Sequence, residues 1–277
     1  MIAPLELAQQ VASRLGEIEG IQAVVLGGSH ARGDAKPNSD IDLGIYYDPT
    51  NPPALASLRA LAAELDDQHR SEAVTNFGEW GPWINGGAWL DIQGQRVDWL
   101  YCNLTQVEFE ISECEAGRPK VHYQPGHPHG FWNHIYLGQV FYCRPLFERA
   151  GELTALKKRA ESYPALLKKA LIGGLWEAGF SLENAYKPAT RGDAFIVAGH
   201  VFRSAATMVQ ALFALNERYC INEKGAVDLI ETMPLHPPDF AKTVHGILGN
   251  LGKTPDELEG SVAQLGKLLE AVQILCQ

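Results

Sequence analysis

The chain has 277 residues, 46% of them hydrophobic and 20% charged, an ordinary globular balance with room for one large or two modest domains. A net charge of −10 and the lack of a basic stripe argue against a grip on long nucleic acid, which depends heavily on phosphate contacts. No apolar run approaches the ~20 residues of a bilayer span, and five scattered cysteines without a CxxC pair read as reduced thiols of a cytoplasmic protein.

Residues 4–19 place Leu5, Leu7, Val11, Leu15 and Ile18 at helical spacing, and Gly20 ends that helix. Residues 21–26, "IQAVVL", form a buried strand. Gly27 and Gly28 break it, and Ser29 is placed to cap a short helix running to Arg32. A loop leads to a second strand over 40–47, closed by "DPTNPP". Residues 54–67 form an amphipathic helix. Residues 86–101, "GGAWLDIQGQRVDWLY", form a hairpin around Gly94, and a helix over 104–116 follows. Residues 132–143 fit helix or strand equally. Beyond about 148 the periodicity becomes helical, over 151–161, 163–186, 193–218, 223–231, 238–249 and 255–275. The expected fold is therefore α+β. A mixed sheet of four or five strands with helices fills 1–148, and an all-helical bundle fills 149–277.

The chemistry concentrates in residues 27–47, "GGSHARGDAKPNSDIDLGIYY". Residues two apart on a strand share a face, so Asp40 and Asp42 project together while Ile41 and Leu43 turn inward. Two close carboxylates raise each other's pKa unless a cation lies between them. Mg²⁺ suits such a pair, because it takes one or two carboxylates and completes its shell with phosphate oxygens. The Gly-Gly-Ser turn offers backbone N–H groups and a hydroxyl to phosphates. Asp98, flanked by Val97 and Trp99 on an apolar strand, is a third carboxylate that needs a partner. Neighbouring strands would complete a two-metal set for in-line phosphoryl transfer. Either element alone is usually a plain turn or a solvated strand face; the ordered combination is what points to catalysis.

"GGSHARGDAKPNSDIDLGI" resembles the signature of the nucleotidyltransferase superfamily related to DNA polymerase β, in which Gly-Ser precedes Asp-x-Asp and a third Asp follows on a later strand. Gly28, Ser29, Asp40, Asp42 and Asp98 match it over about 70 residues. A sheet domain followed by a helical domain is similar to the aminoglycoside and lincosamide nucleotidyltransferases. The resemblance implies that Gly28 and Ser29 hold the β- and γ-phosphates of ATP or another NTP. It implies that Asp40 and Asp42 bind Mg²⁺, and that Asp98 binds a second ion and helps activate an acceptor hydroxyl. It also implies a phosphate-contacting basic residue in the helical part, for which Lys224 in "INEKGAV" and Arg203 are the candidates. The expected partners are an NTP and a small hydroxylated acceptor, with no membrane.

Other features carry weaker expectations. Arg32 and Lys36 are in place to touch phosphates, but read first as an ion-pair partner and a loop charge. His122, His127, His129 and His134 fit no standard zinc spacing. His200, Arg203, Thr207, Gln210 and Glu217 form a polar stripe on a mostly apolar helix, and Glu217, Glu79 and Asp91 are spare carboxylates for proton transfer. Phe77, Trp80, Trp83 and Trp89 read as packing or as a surface on which a base or sugar ring stacks. The alternative functions are nucleotidylation of a protein or tRNA end, and a nucleotide-binding regulatory module of the antitoxin type.

Overall fold

The computed structural model describes residues 2–277, which divide into two compact units. Of the described residues, the first comprises 2–112, 123–126 and 136–162; the second comprises 113–122, 127–135 and 163–277. In chain order the elements to the first hairpin are α1 (Pro4–Gly16), β1 (Ile21–Leu26), α2 (Gly28–Arg32), β2 (Ile41–Tyr47), α3 (Leu55–Leu65), β3 (Gly87–Ile92) and β4 (Gln95–Asn103). Then come α4 (Leu104–Glu115), β5 (Val121–His122), β6 (Phe131–Trp132), α5 (Ile135–Tyr142) and β7 (Arg144–Glu148). The remainder is helical: α6 (Glu152–Ala160), α7 (Ala165–Gly173), α8 (Leu175–Ala189), α9 (Ala194–Leu215), α10 (Ala226–Ile230), α11 (Phe240–Gly249) and α12 (Pro255–Leu275).

The first unit is built on a mixed five-stranded sheet of order β3-β4-β2-β1-β7. Only β2 and β4 run parallel; the other neighbours are antiparallel. Leu7, Val11 and Leu15 of α1, Leu58 and Leu61 of α3, and Ile41, Leu43, Val97, Trp99 and Leu90 of the strands join in one buried cluster. Burying one face of a sheet fixes its register, since a one-residue slip would turn every apolar side chain outward.

The β3–β4 turn is held unusually firmly. Gln93 and Gly94 both have positive φ, 53° and 74°, the conformation of a two-residue hairpin turn matched to strand twist. Their N–H groups donate to the two Asp67 carboxylate oxygens at 2.9 and 2.8 Å. Next to it, Asp66 is fully buried. It accepts from Arg70 Nε at 2.9 Å and Nη2 at 2.6 Å, and from the backbone N of Asp91 at 2.9 Å. Arg70 also reaches Asp91 at 3.0 Å. The Arg70 hydrogen bonds hold the Asp66 carboxyl well below the usual carboxylate range, against the opposing effect of burial.

The second unit has its own core, formed by α8, α9, α11 and α12. By length and composition α9 qualifies as a membrane span, with mean hydropathy 1.2, so the reading that no run approaches that length needs correcting. Val197, Val201, Met208 and Leu212 of this helix are buried among other helices of the unit. Two further expectations are corrected. The helix over 163–186 is two helices, because the chain breaks at Gly174. The edge strand β7 lies outside the expected elements, being short and carrying Pro145, which weakens a strand signal and suits an edge.

Candidate functional site

The site grows from one strand register. Asp42 on β2 lies opposite Asp98 on β4, and Asp98 lies opposite Trp89 on β3. Neighbours on this row are flanked by buried residues: Ile41 and Leu43, Val97 and Trp99, Ala88 and Leu90. Alternation therefore directs Asp42, Asp98 and Trp89 to the other, open face. The aspartates are half-buried, and Asp40, just before β2, is half-buried as well.

Asp98 responds to these surroundings. Burial first, then the charge of Asp42 and the charge of Asp40, push its carboxyl up to about 6 from 3.8, with Arg96 opposing. The three carboxylates thus repel one another. Among the described residues no group of three or more His, Cys, Asp and Glu side chains stands ready to hold a metal ion. The donor set is nonetheless of the right chemistry for a hard divalent cation: oxygen ligands only, with a mutual repulsion that a cation removes.

At the end of β1, the Gly27 N–H donates to the Asp42 carbonyl at 2.8 Å. Gly28 then turns with φ of +56°, and a Cβ there would lie 1.7 Å from Asp42 Oδ2. Only glycine allows both the positive φ and this approach. Ser29 does not cap α2 as expected; Gly27 occupies that position without a side-chain bond, and Gly33 closes the helix with φ of 83°. Ser29 instead sits inside the first turn, where its carbonyl accepts from Gly33 and Asp34 N at 3.0 and 3.1 Å. Arg32 pairs with Asp34 at 3.2 Å. The Lys36–Ser39 turn, closed by bonds of 2.9 Å in both directions, leads the chain into Asp40.

The spare carboxylates have structural partners. Asp91 belongs to the Arg70 network, and Glu79 accepts from the Asn76 N–H at 2.7 Å. In the second unit Glu217 pairs with Lys168 at 2.8 Å. Arg203 is exposed on α9 and pairs with Glu177. Lys224 is exposed in the turn before α10, its N–H bound to Asn222 Oδ1 at 2.8 Å. The polar stripe on α9 is not continuous at the surface, since Thr207 and Gln210 are buried. His127 bonds Glu223 at 3.0 Å, and His134 is buried. Two features of the first unit escaped the sequence reading. One is the pairing of Trp89 with Asp98, which needs the register; the other is the charge of Arg96 near Asp98.

Residues 8–77 match the sequence model of the family described as Nucleotidyltransferase domain. The match spans Gly28, Ser29, Asp40 and Asp42 and ends before Asp98. Among solved structures, the chain is similar to a nucleotidyltransferase-like protein from Exiguobacterium sibiricum. That similarity has 13% identity and a TM-score of 0.48, over 96% of this chain and 75% of that chain. No curated protein matches. The matched segment, a quarter of the chain, carries the pattern of a nucleotidyltransferase domain, which supports a transferase enzyme.

Proposed function

We propose that the protein transfers a nucleoside monophosphate, AMP from ATP, to a hydroxyl of a small molecule in a Mg²⁺-dependent reaction, an aminoglycoside-like compound being one acceptor class. The observation that carries this reading is the pairing of Asp42 with Asp98 on one open face, directly beside the Gly28 turn. Asp40, Asp42 and Asp98 would hold a pair of Mg²⁺ ions, which when bound offset the charge of the carboxylates and of the phosphates. Gly28 and Ser29 are assigned to the β- and γ-phosphates, where the glycine lets backbone approach closely. Asp98 accepts the proton of the acceptor hydroxyl. Positioning and electrostatics do most of the work in such a transfer. Arg203 and Lys224 are the candidates for phosphate contact that the resemblance offers. The five free thiols support a reducing, cytoplasmic setting.

The test is release of pyrophosphate from ATP with Mg²⁺ across a panel of hydroxylated acceptors, beside calorimetric binding of Mg²⁺·ATP. Release that needs both Mg²⁺ and an acceptor supports the reading. Nucleotide binding without release under any acceptor would return the chain to a binding or regulatory role.

A further inference from the structure

The strand register sets out a row across the open face of the first unit. It runs from the Gly27–Gly28 turn to Asp42, then Asp98, then Trp89. Strands lie about 4.8 Å apart, so Trp89 stands one strand beyond Asp98 and roughly two beyond Asp42. Trp89 is 60% exposed although its strand neighbours Ala88 and Leu90 are buried. Its indole stacks on Trp80, with centroids 4.5 Å apart and planes at 19°. One indole face is therefore covered, and most of the rest of the ring is open.

Trp80 is not carried by a loose loop. Its carbonyl accepts from Gln124 Nε2 at 2.8 Å, and Gln124 is itself buried. The same loop is tied by Asn85 Nδ2 to Tyr47 Oη at 2.7 Å, by Tyr136 Oη to the Trp83 carbonyl at 2.8 Å, and by Gln106 Nε2 to the Pro82 carbonyl at 3.1 Å. Ties to β2, α4 and α5 hold half-buried Trp80, and with it the exposed Trp89 stacked on it, in place. Such rigidity is what a binding surface needs and what simple solvent exposure does not.

We infer that Trp89, backed by Trp80, is the acceptor platform: it stacks the apolar face of a pyranose ring and presents one ring hydroxyl to Asp98. This rests on the nucleotidyl-transfer reading above. In an in-line displacement the attacking and leaving oxygens lie on opposite sides of the phosphorus. With the leaving pyrophosphate at the Gly27–Gly28 turn, the attacking hydroxyl enters from the Asp98 and Trp89 end of the row. The acceptor oxygen forms a bond to the α-phosphorus, and its proton passes to Asp98. The bond from the α-phosphorus to the α,β-bridging oxygen breaks, and pyrophosphate leaves with that electron pair. The C–H face of a sugar supplies the apolar contact that an indole takes. Amino substituents on the ring add attraction to the indole face and to the acidic surroundings.

The experiment uses the full chain labelled with ¹⁵N-tryptophan, whose six indole signals are assigned with Trp80→Phe and Trp89→Phe. Methyl glucosaminide and Mg²⁺·ATP are titrated separately. The expected result is that methyl glucosaminide moves the Trp80 and Trp89 signals and Mg²⁺·ATP does not. In turnover, Trp89→Ala should raise KM for pyranose acceptors by ~10-fold, about one aromatic contact, with ATP affinity unchanged. If neither signal responds to methyl glucosaminide, the inference falls. If ATP moves them instead, the pair is a nucleobase platform and the inference again falls. Calorimetry of Mg²⁺·ATP with wild type and Asp42→Asn tests the transfer reading separately. Absent nucleotide binding beside a retained response to methyl glucosaminide would remove the reaction and leave the sugar site.

Discussion

Asp98→Asn should make the metal-free protein more stable while stopping its chemistry. In the folded chain the Asp98 carboxyl titrates at about 6 rather than 3.8. Below the lower value both folded and unfolded chains hold the proton, and there is no penalty. As pH rises between the two, the unfolded chain releases its proton first, so native stability falls. Above about 6 the loss is complete, and the folded chain carries an unfavourable charge. The full difference corresponds to ~3 kcal/mol, and because Asp98 is only half-buried, solvent screening reduces it to ~1–2 kcal/mol. The amide is nearly the same size, so packing around Val97 and Trp99 changes little. Thermal melting without metal should therefore show the variant ~2–5 °C above wild type at pH 7.5. The gap should shrink toward pH 4 and narrow when Mg²⁺ is added. Turnover should drop by at least ~10²-fold, the lower end for a positioned acid–base group, with ATP affinity little changed. A variant no more stable than wild type at pH 7.5, or a gap independent of pH, would refute the repulsion among the three carboxylates. Retained turnover would hand the proton to another group.

Gly28→Ala should abolish activity and weaken Mg²⁺·ATP binding, because the new methyl meets Asp42 Oδ2 in a left-handed backbone; wild-type binding by calorimetry would disprove the packing role. Asp66→Ala should destabilise the first unit by ~1–3 kcal/mol, since it takes the buried acceptor from the Asp91 N–H and leaves Arg70 only its Asp91 partner, and urea melts measure this directly. Because the Asp66 pKa is depressed in the fold, its contribution is present above about 3.9 and disappears as pH falls further, so the stability gap between wild type and Asp66→Ala should close as pH falls below that value. His134 behaves differently: burial lowers its imidazole to about 4 from 6.5. The unfolded chain takes the proton first, so the second unit should lose up to ~3 kcal/mol between those pH values. Hydrogen exchange at α9 amides should show the loss in wild type and its absence in His134→Gln.

Much of this protein is legible one residue at a time. Alternation around Asp42 and Asp98, helical spacing in α1 and α12, and the glycines that end β1 reflect local backbone rules, and each element formed close to its expected position. The Gly-Ser and Asp-x-Asp pair was visible because its parts lie within about 15 residues and have fixed strand and turn roles. What the sequence left open depends on distant partners. The break at Gly174 and the edge strand β7 depend on what packs beside them. Burial of Thr207 and Gln210 turned part of the α9 stripe inward, which no periodicity within one helix reveals. The alignment of Asp42, Asp98 and Trp89 is likewise tertiary: β2 and β4 are parallel neighbours across 47 residues of intervening chain, their register follows from the shared core, and the Asp67-clamped turn fixes that of β3 on β4. A local code specifies which face a side chain takes, whereas sheet pairing decides which side chain it meets there.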